Sequence, residues 1–426
     1  MMKKYIQKKL ENYVVRYFAA HPDVKLIVIA GSVGKTSTKR AIGTLLSQKY
    51  RVQLHEGNHN THLSAPLAIL GIEFPENVHS VFSWLKVFRA ARWRIARPSE
   101  VDVIVQEIGA DRIGDIAHFG TYLRPAIGVV TAVSAEHMEY FETLDAVAKE
   151  ELTAANFSDL AIINRDDIDA TYATYVTNAA LTTYGTSVEA EYHYEIRDFT
   201  MEAGYLGMVV GPRPMTPVEA SIMLIGEHSI RAAMAAVAVA DKLEMTSAQI
   251  VEGLKLLRAV PGRMNLLRGI DDTIIIDDTY NSSPIAASSA LRELYKIAAP
   301  QRIAILGSMN ELGATSDDEH KKLGEMCDPA LLAWVVTVGD EAEKFLAPAA
   351  RARGCQVKSF HSAIDAGTFV RGVTEPGAVI LAKGSQGGIY VEEAVKILCL
   401  LGEDDELVRQ SRQWMTTKEA FFSKFA

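Results

Sequence analysis

Short, almost uninterrupted apolar runs alternate along the first part of the chain with stretches whose apolar positions recur every three or four residues. The runs LIVIAG, DVIVQEIGA, AIGVVTAV and LAIINRDD read as strands buried on both faces, each followed by a helix. That alternation predicts an α/β class with a mainly parallel sheet. The pattern changes over 182–225, where YEIRDFTMEAGYLGMVVG has hairpin character. Helical periodicity returns at 228–242 and 247–258. The stretch RAVPGRMN (258–265) carries Pro and Gly and predicts a hinge. Beyond it TIIIDDTYN, RIAILGSMN, AWVVTVGD and GAVILAKGS restart the strand-then-loop rhythm, as in a Rossmann-like α/β domain. At the start, Tyr5, Ile6, Leu10, Tyr13, Val14 and Tyr17 mark one side of an amphipathic helix.

Composition narrows the class. A chain of 426 residues that is 48% hydrophobic can bury two or three cores. Its net charge of −9 argues against a generic nucleic-acid binder. Cys327, Cys355 and Cys399 lie far apart, without metal-ligand spacing, and read as reduced thiols of a cytoplasmic protein. No apolar run reaches the roughly 18–20 residues of a membrane span. Charge recurs through the N-terminal segment, which lacks the apolar stretch of a signal peptide.

The chemistry begins at AGSVGKTSTKRAI, between the first strand and a helix. Gly31, Ser32, Val33, Gly34, Lys35, Thr36 and Ser37 form a phosphate-binding loop: bare N–H groups at a helix N-terminus, a lysine for the β- and γ-phosphates, and a hydroxyl for magnesium. The usual spacing places a first glycine at position 29, where this chain has Ile29, so the loop is a variant form. Glu107 and His137 each follow an apolar strand of the same sheet, where a magnesium ligand is expected to face the loop. The expected domains are an N-terminal helix (1–24), a central ATP-binding domain (25–260) and a Rossmann-like domain (261–426).

Taken in order, these motifs resemble the Mur ligases, ATP-dependent amide-bond formers of peptidoglycan synthesis. The likeness is carried by GSVGKTSTK, GNHNTHLSAPLAIL, QEIGADRIGDI, AEHMEYFETLDAVAKEE, NRDD (164–167) and PGR (261–263). Within the family, IDDTYNSSP, LGSMNELG with His320 beyond, and LAKGSQGG are most similar to the member that adds D-alanyl-D-alanine. The resemblance implies that a peptide carboxylate attacks the γ-phosphate of ATP and that an amine then displaces phosphate from the acyl phosphate. It implies magnesium on Thr36, Glu107 and His137, and nucleotide contacts from Asn164, Arg263 and Asp278. Lys383 and Ser385 are implied near the acceptor or the transferring phosphate, and Asn58, Asn60, Tyr280 and Asn281 near substrate. Glu311 and His320 either orient the acceptor or only satisfy loop hydrogen bonds.

The chain departs from the family in three places. Where many members carry a carbamylated lysine it has Glu151, expected to supply a carboxylate directly; the rival is a modified Lys149. After GEH (226–228), Ser229 and Ala232 replace the usual asparagines, which leaves His228 alone there. The stretch before the P-loop strand fits one helix rather than a nucleotide-sugar-binding domain. This leaves open an amide ligase acting on another acid, or a non-catalytic ATP-binding partner subunit. The segment 83–97, SWLKVFRAARWRIAR, suits a UDP-sugar, an anionic membrane, a helical dimer contact, or plain packing with a solvated basic face.

Overall fold

The computed structural model describes residues 2–55, 59–75, 77–134, 138–200, 204–402 and 405–425, apart from the side chains of Met2, Glu139, Glu227 and His228. Asn58, His137 and the His228 side chain therefore lie outside the described residues. The chain divides into two compact units, Met1–Met223 with Glu227–Arg258, and Leu224–Gly226 with Ala259–Ala426.

The first unit is built on six parallel strands: β1 (Lys25–Ala30), β2 (Val52–Leu54), β3 (Val103–Glu107), β4 (Ile127–Val130), β5 (Leu160–Asn164) and β6 (Leu181–Tyr184). Their order is β2-β3-β1-β4-β5-β6. The inner strands β1, β3 and β4 are buried along almost their whole length, as continuous apolar runs require. Pairing sets Ile29 beside Glu107 and Ala30 beside Val130, so the loop after β1 and the end of β3 share one sheet edge. The hairpin region is a separate antiparallel sheet of β7 (His193–Thr200), β8 (Gly204–Val210) and β9 (Val218–Ile222).

The N-terminal helix Met2–Ala20 belongs to the core of this unit. Leu10, Val14 and Tyr17 are buried and cluster with Leu26 and Val28 of β1. One position differs from the sequence reading: Tyr5 is 62% exposed, because it falls outside the arc that Ile6, Leu10, Tyr13 and Val14 turn inward. The helix packs on a second one, Val81–Ala96, through the buried Trp84, Val87, Phe88 and Ala91.

The second unit holds β10 (Asn265–Arg268), β11 (Ile274–Asp278), β12 (Arg302–Gly307), β13 (Trp334–Val338), β14 (Val357–Phe360) and β15 (Val379–Lys383). Their order is β10-β11-β15-β12-β13-β14, parallel except for β10, which runs antiparallel to β11. The four expected strands are the inner ones. The edge strands β10 and β14 escape the pattern because they are short and only partly buried. Among the described residues no helix is long and apolar enough to cross a membrane.

Candidate active site

In the first unit the segment Gly31–Gly34 turns sharply out of β1 and into the helix Lys35–Leu46. Gly31 and Gly34 have φ of 124° and 89°, a region that favours glycine. Space reinforces this at Gly31, where an added Cβ would lie 2.2 Å from Thr131 Oγ1 and 2.8 Å from the Ala132 nitrogen. The end of β4 laces the loop down. Thr131 Oγ1 donates to the Val33 carbonyl at 2.6 Å, and Ser32 N–H donates to the Ala132 carbonyl at 3.0 Å. Lys35 is half-buried, and its ammonium donates to the loop carbonyls of Gly31 and Ser32.

Glu107 closes the floor. It is 2% exposed, and Thr36 Oγ1 donates to its Oε2 at 3.3 Å. Lys39 Nζ stands 2.9 Å from Oε1, yet that oxygen accepts no hydrogen bond of ordinary geometry. A hydroxyl, a buried carboxylate and an oxygen with spare accepting capacity fit a hard cation such as magnesium. Among the described residues no three His, Cys, Asp or Glu side chains form a metal cluster, and His137 is outside them. Lys39 went unnoticed in the sequence. Its signal is the final lysine of GKTSTK, one helical turn past Lys35 and Thr36.

The helix Leu144–Asn156 presents three neighbouring side chains in three directions. Lys149 is exposed. The Glu150 carboxylate accepts from the Gly114 and Ile116 N–H groups at 2.8 and 2.6 Å. The Glu151 carboxylate is buried and accepts from Gly31 N–H at 2.6 Å, directly against the phosphate-binding loop. Asn60 lies over the glutamate strand: its carbonyl accepts from Gly109 N–H at 3.1 Å, and its side chain fills the space beside that glycine.

At the end of β5 the NRDD turn is a hub. Asn164 is 2% exposed; its amide donates to the Thr131 carbonyl and to Asp167, and accepts from Asp166 N–H. These hydrogen bonds tie Asn164, expected near the nucleotide, into the turn itself. Arg231, on the helix Glu227–Lys242, reaches Asp166 and Asp167 at 3.1 and 3.2 Å, a link the sequence reading missed. Burial works against ionisation of Asp166, but hydrogen bonds from Thr186 and the charge of Arg231 outweigh it and hold its carboxyl below the usual range.

The second unit assembles its own cluster. Asp278 and Lys383 are register partners on β11 and β15, and the ammonium donates to Asp278 Oδ2 at 2.6 Å and to the Asn281 carbonyl at 3.0 Å. Asp278 Oδ1 accepts from Met264 N–H. The Arg263 guanidinium stacks 4.2 Å over the Tyr280 ring, with its Nε buried and unpartnered. Asn281 and Glu311 are exposed, and Glu311 holds a φ of 65°. His320 is fully buried. Its Nε2 accepts from Met309 N–H at 2.8 Å and its Nδ1 faces the Ser316 carbonyl at 2.8 Å, so it pins the loop after β12 and has no open nitrogen for an acceptor. Ser385 is buried as well, accepting from Asn310 N–H and donating to the Ser282 carbonyl.

Two further residues, absent from the sequence reading, shape the 277–281 loop. Arg409 donates to the Thr279 and Tyr280 carbonyls at 2.6 and 2.9 Å and forms a two-pronged ion pair with Glu392. Asp277 is fully buried and accepts from the Thr279 hydroxyl at 2.6 Å. Burial pushes its carboxyl up to about 6, from an ordinary 3.8. A folded-state value above the unfolded one means the native state binds the extra proton, so this residue's stabilising share is full below about pH 4 and is lost as pH rises through 6. Other carboxylates have their own pH dependence, so the difference between wild type and Asp277→Asn isolates it. Between pH 5 and 7 the urea midpoint of the variant is expected to shift toward higher stability relative to wild type.

A glycine turn with a lysine and a threonine at the mouth of a parallel sheet, over a buried carboxylate, defines a P-loop α/β protein. Comparison with known families makes the assignment specific. The Mur ligase middle domain matches residues 29–240, and the Mur ligase glutamate ligase domain matches residues 262–386. The chain belongs to the Mur ligase family. It is 27% identical over 341 residues to the UDP-N-acetylmuramoyl-tripeptide–D-alanyl-D-alanine ligase of Escherichia coli, covering 75% of this chain and 65% of that one. With the Bacillus subtilis enzyme of the same name it shares 26% over 382 residues, covering 88% and 76%. The chain thus spans slightly under two thirds of the Escherichia coli relative. In fold it resembles MurF ligase from Thermotoga maritima, solved in complex with ADP, with a TM-score of 0.72 at 21% identity over 92% of this chain and 82% of that one.

Proposed function

We propose that this protein is an ATP-dependent, ADP-forming ligase of peptidoglycan precursor synthesis, working in the cytoplasm and joining a UDP-muramoyl-tripeptide to D-alanyl-D-alanine. The observation that carries the proposal is the Thr36 hydroxyl on the buried Glu107 carboxylate, beneath a glycine loop and Lys35. The names and coverage of the relatives supply the substrate class. In the reaction a carboxylate oxygen of the peptide attacks the γ-phosphorus of ATP, and the bond to ADP breaks. The amine nitrogen of D-alanyl-D-alanine then attacks the acyl carbon, loses a proton, and phosphate leaves.

Two anions must meet, so charge neutralisation and positioning are what this chain can contribute. Lys35 would withdraw from the loop carbonyls to the phosphates. Thr36, Glu107, His137 and Glu151 would hold magnesium, whose bound charge lowers the repulsion between carboxylate and triphosphate. Lys39 holds Glu107 in place through their ion pair at 2.9 Å. In the second unit Lys383 and Asp278 would fix the loop that carries Tyr280 and Asn281, and Arg263 would meet phosphate.

The test is phosphate release with ATP, magnesium, D-alanyl-D-alanine and UDP-muramoyl-tripeptide. Stimulation by the pair of acceptor substrates is the expected result. Turnover on a different acid alone would overturn the substrate assignment, and nucleotide binding without turnover would indicate a partner subunit. For the role of Glu151, Glu151→Gln is expected to raise the magnesium concentration needed for half-maximal rate about tenfold or more, since one buried anionic ligand becomes neutral. Lys149→Ala, which alters only an exposed side chain, is expected to match wild type in the same titration.

A further inference from the structure

The helix Val81–Ala96 spends only one side on packing. Trp84, Val87, Phe88 and Ala91 are buried. The opposite side carries Phe82, Leu85 and Trp93, which are 78%, 51% and 47% exposed. Between them stand the exposed Lys86, Arg89 and Arg92. At 3.6 residues per turn these six side chains fall within an arc of about 120°. Arg97, just past the helix end, lays its guanidinium 4.2 Å over the Trp93 ring.

Charge makes the face unusual for this protein. The segment 81–97 has five basic residues and no acid, and the helix packed on it adds Lys3, Lys4, Lys8, Lys9 and Arg16 against a single Glu11. The whole chain nevertheless carries −9, so positive charge is concentrated here. Lys9 sits 4.3 Å over the Phe88 ring, joining the two helices. A merely solvated face would not need three large apolar side chains in water, nor would it lack acids along its whole length.

We infer that the exposed face of helix 81–96, with the lysines of the N-terminal helix beside it, docks on the surface of a membrane rich in anionic phospholipid. Lysine and arginine meet the phosphates, and Phe82, Leu85 and Trp93 enter the boundary between headgroups and chains. A second copy of the chain is disfavoured as the occupant, because apposing two such faces sets like charges against each other. The inference does not depend on the ligase reading, since none of these residues belongs to the candidate active site.

The experiment is sedimentation of the full-length chain with vesicles of phosphatidylcholine, alone or with about one third phosphatidylglycerol. Binding is expected only with the anionic vesicles and should be released by high salt. K86Q/R89Q/R92Q is expected to weaken it at least about tenfold, as three surface charges near an anionic membrane should. F82S/L85S/W93S should also weaken it while leaving the thermal melting of the chain unchanged, because those side chains are exposed. Equal binding to neutral vesicles, no binding to either, or full binding by both variants would overturn the inference. So would self-association in sedimentation velocity that the apolar variant abolishes.

Discussion

Replacing Lys35 with alanine is expected to lower ATP-dependent phosphate release by about 10²–10³-fold while leaving thermal stability close to wild type. The ammonium stands over the loop carbonyls of Gly31 and Ser32 on a half-buried side chain at the edge of the sheet rather than in its core. Its worth lies in charge that develops on the transferring phosphate, which no neutral side chain supplies. Lys35→Arg keeps the charge but replaces a compact ammonium with a rigid planar fork, so only part of the rate should return. Steady-state phosphate release, paired with a melting curve, reads both quantities. Undiminished turnover in Lys35→Ala would mean that the loop is not where phosphate is handled.

A loss of about 3–5 kcal/mol in the stability of the second unit is expected from Glu392→Gln. Glu392 is fully buried and faces two cations: Arg409, with both prongs at 2.7 Å, and Lys418 at 2.9 Å. Those cations are themselves almost fully buried, at 6% and 2% side-chain exposure. Among the described residues, removing the carboxylate charge leaves Glu393, which bonds Lys418 at 2.6 Å, and no ion pair for Arg409 besides the lost one. An arginine buried without its counter-ion is the costly product. Urea unfolding in a background where Trp84 and Trp93 of the first unit are replaced by Phe, so that the fluorescence of Trp334 and Trp414 reports on this unit, measures the change. The same substitution should lower activity, because Arg409 is the clamp on the Thr279 and Tyr280 carbonyls. A midpoint equal to wild type would show that the network contributes specificity of structure rather than stability.

Much of the first unit could be read along the chain because its signals are local. A strand buried on both faces must be an apolar run, and β1, β3, β4 and β5 are such runs. A glycine that must take φ of 89° before a helix leaves its mark as Gly-Lys-Thr at a strand end. Glu107 stands at a strand end, where the direction of a side chain is fixed, whereas Glu151 was singled out through the family resemblance, at the position where many members carry a carbamylated lysine; its contact with Gly31 N–H is a fact of folding. The second unit was less legible. Strands β10 and β14 are short and half-solvated, so no periodicity announces them.

What the sequence by itself determined is the alternation of the inner strands with helices, the two α/β units and the glycine loop after β1, because these follow from periodicity and from backbone conformations that only certain residues adopt. Only the tertiary structure decided the employment of individual polar side chains. It turned His320, Ser385 and Asn164 inward to hold loops, left Tyr5 in solvent, and brought Lys39 to Glu107, Arg231 to the NRDD turn and Arg409 to Glu392. The reason is physical: a buried polar group must find its partner wherever the fold brings one within about 3 Å, and that partner carries no signature in the neighbouring sequence.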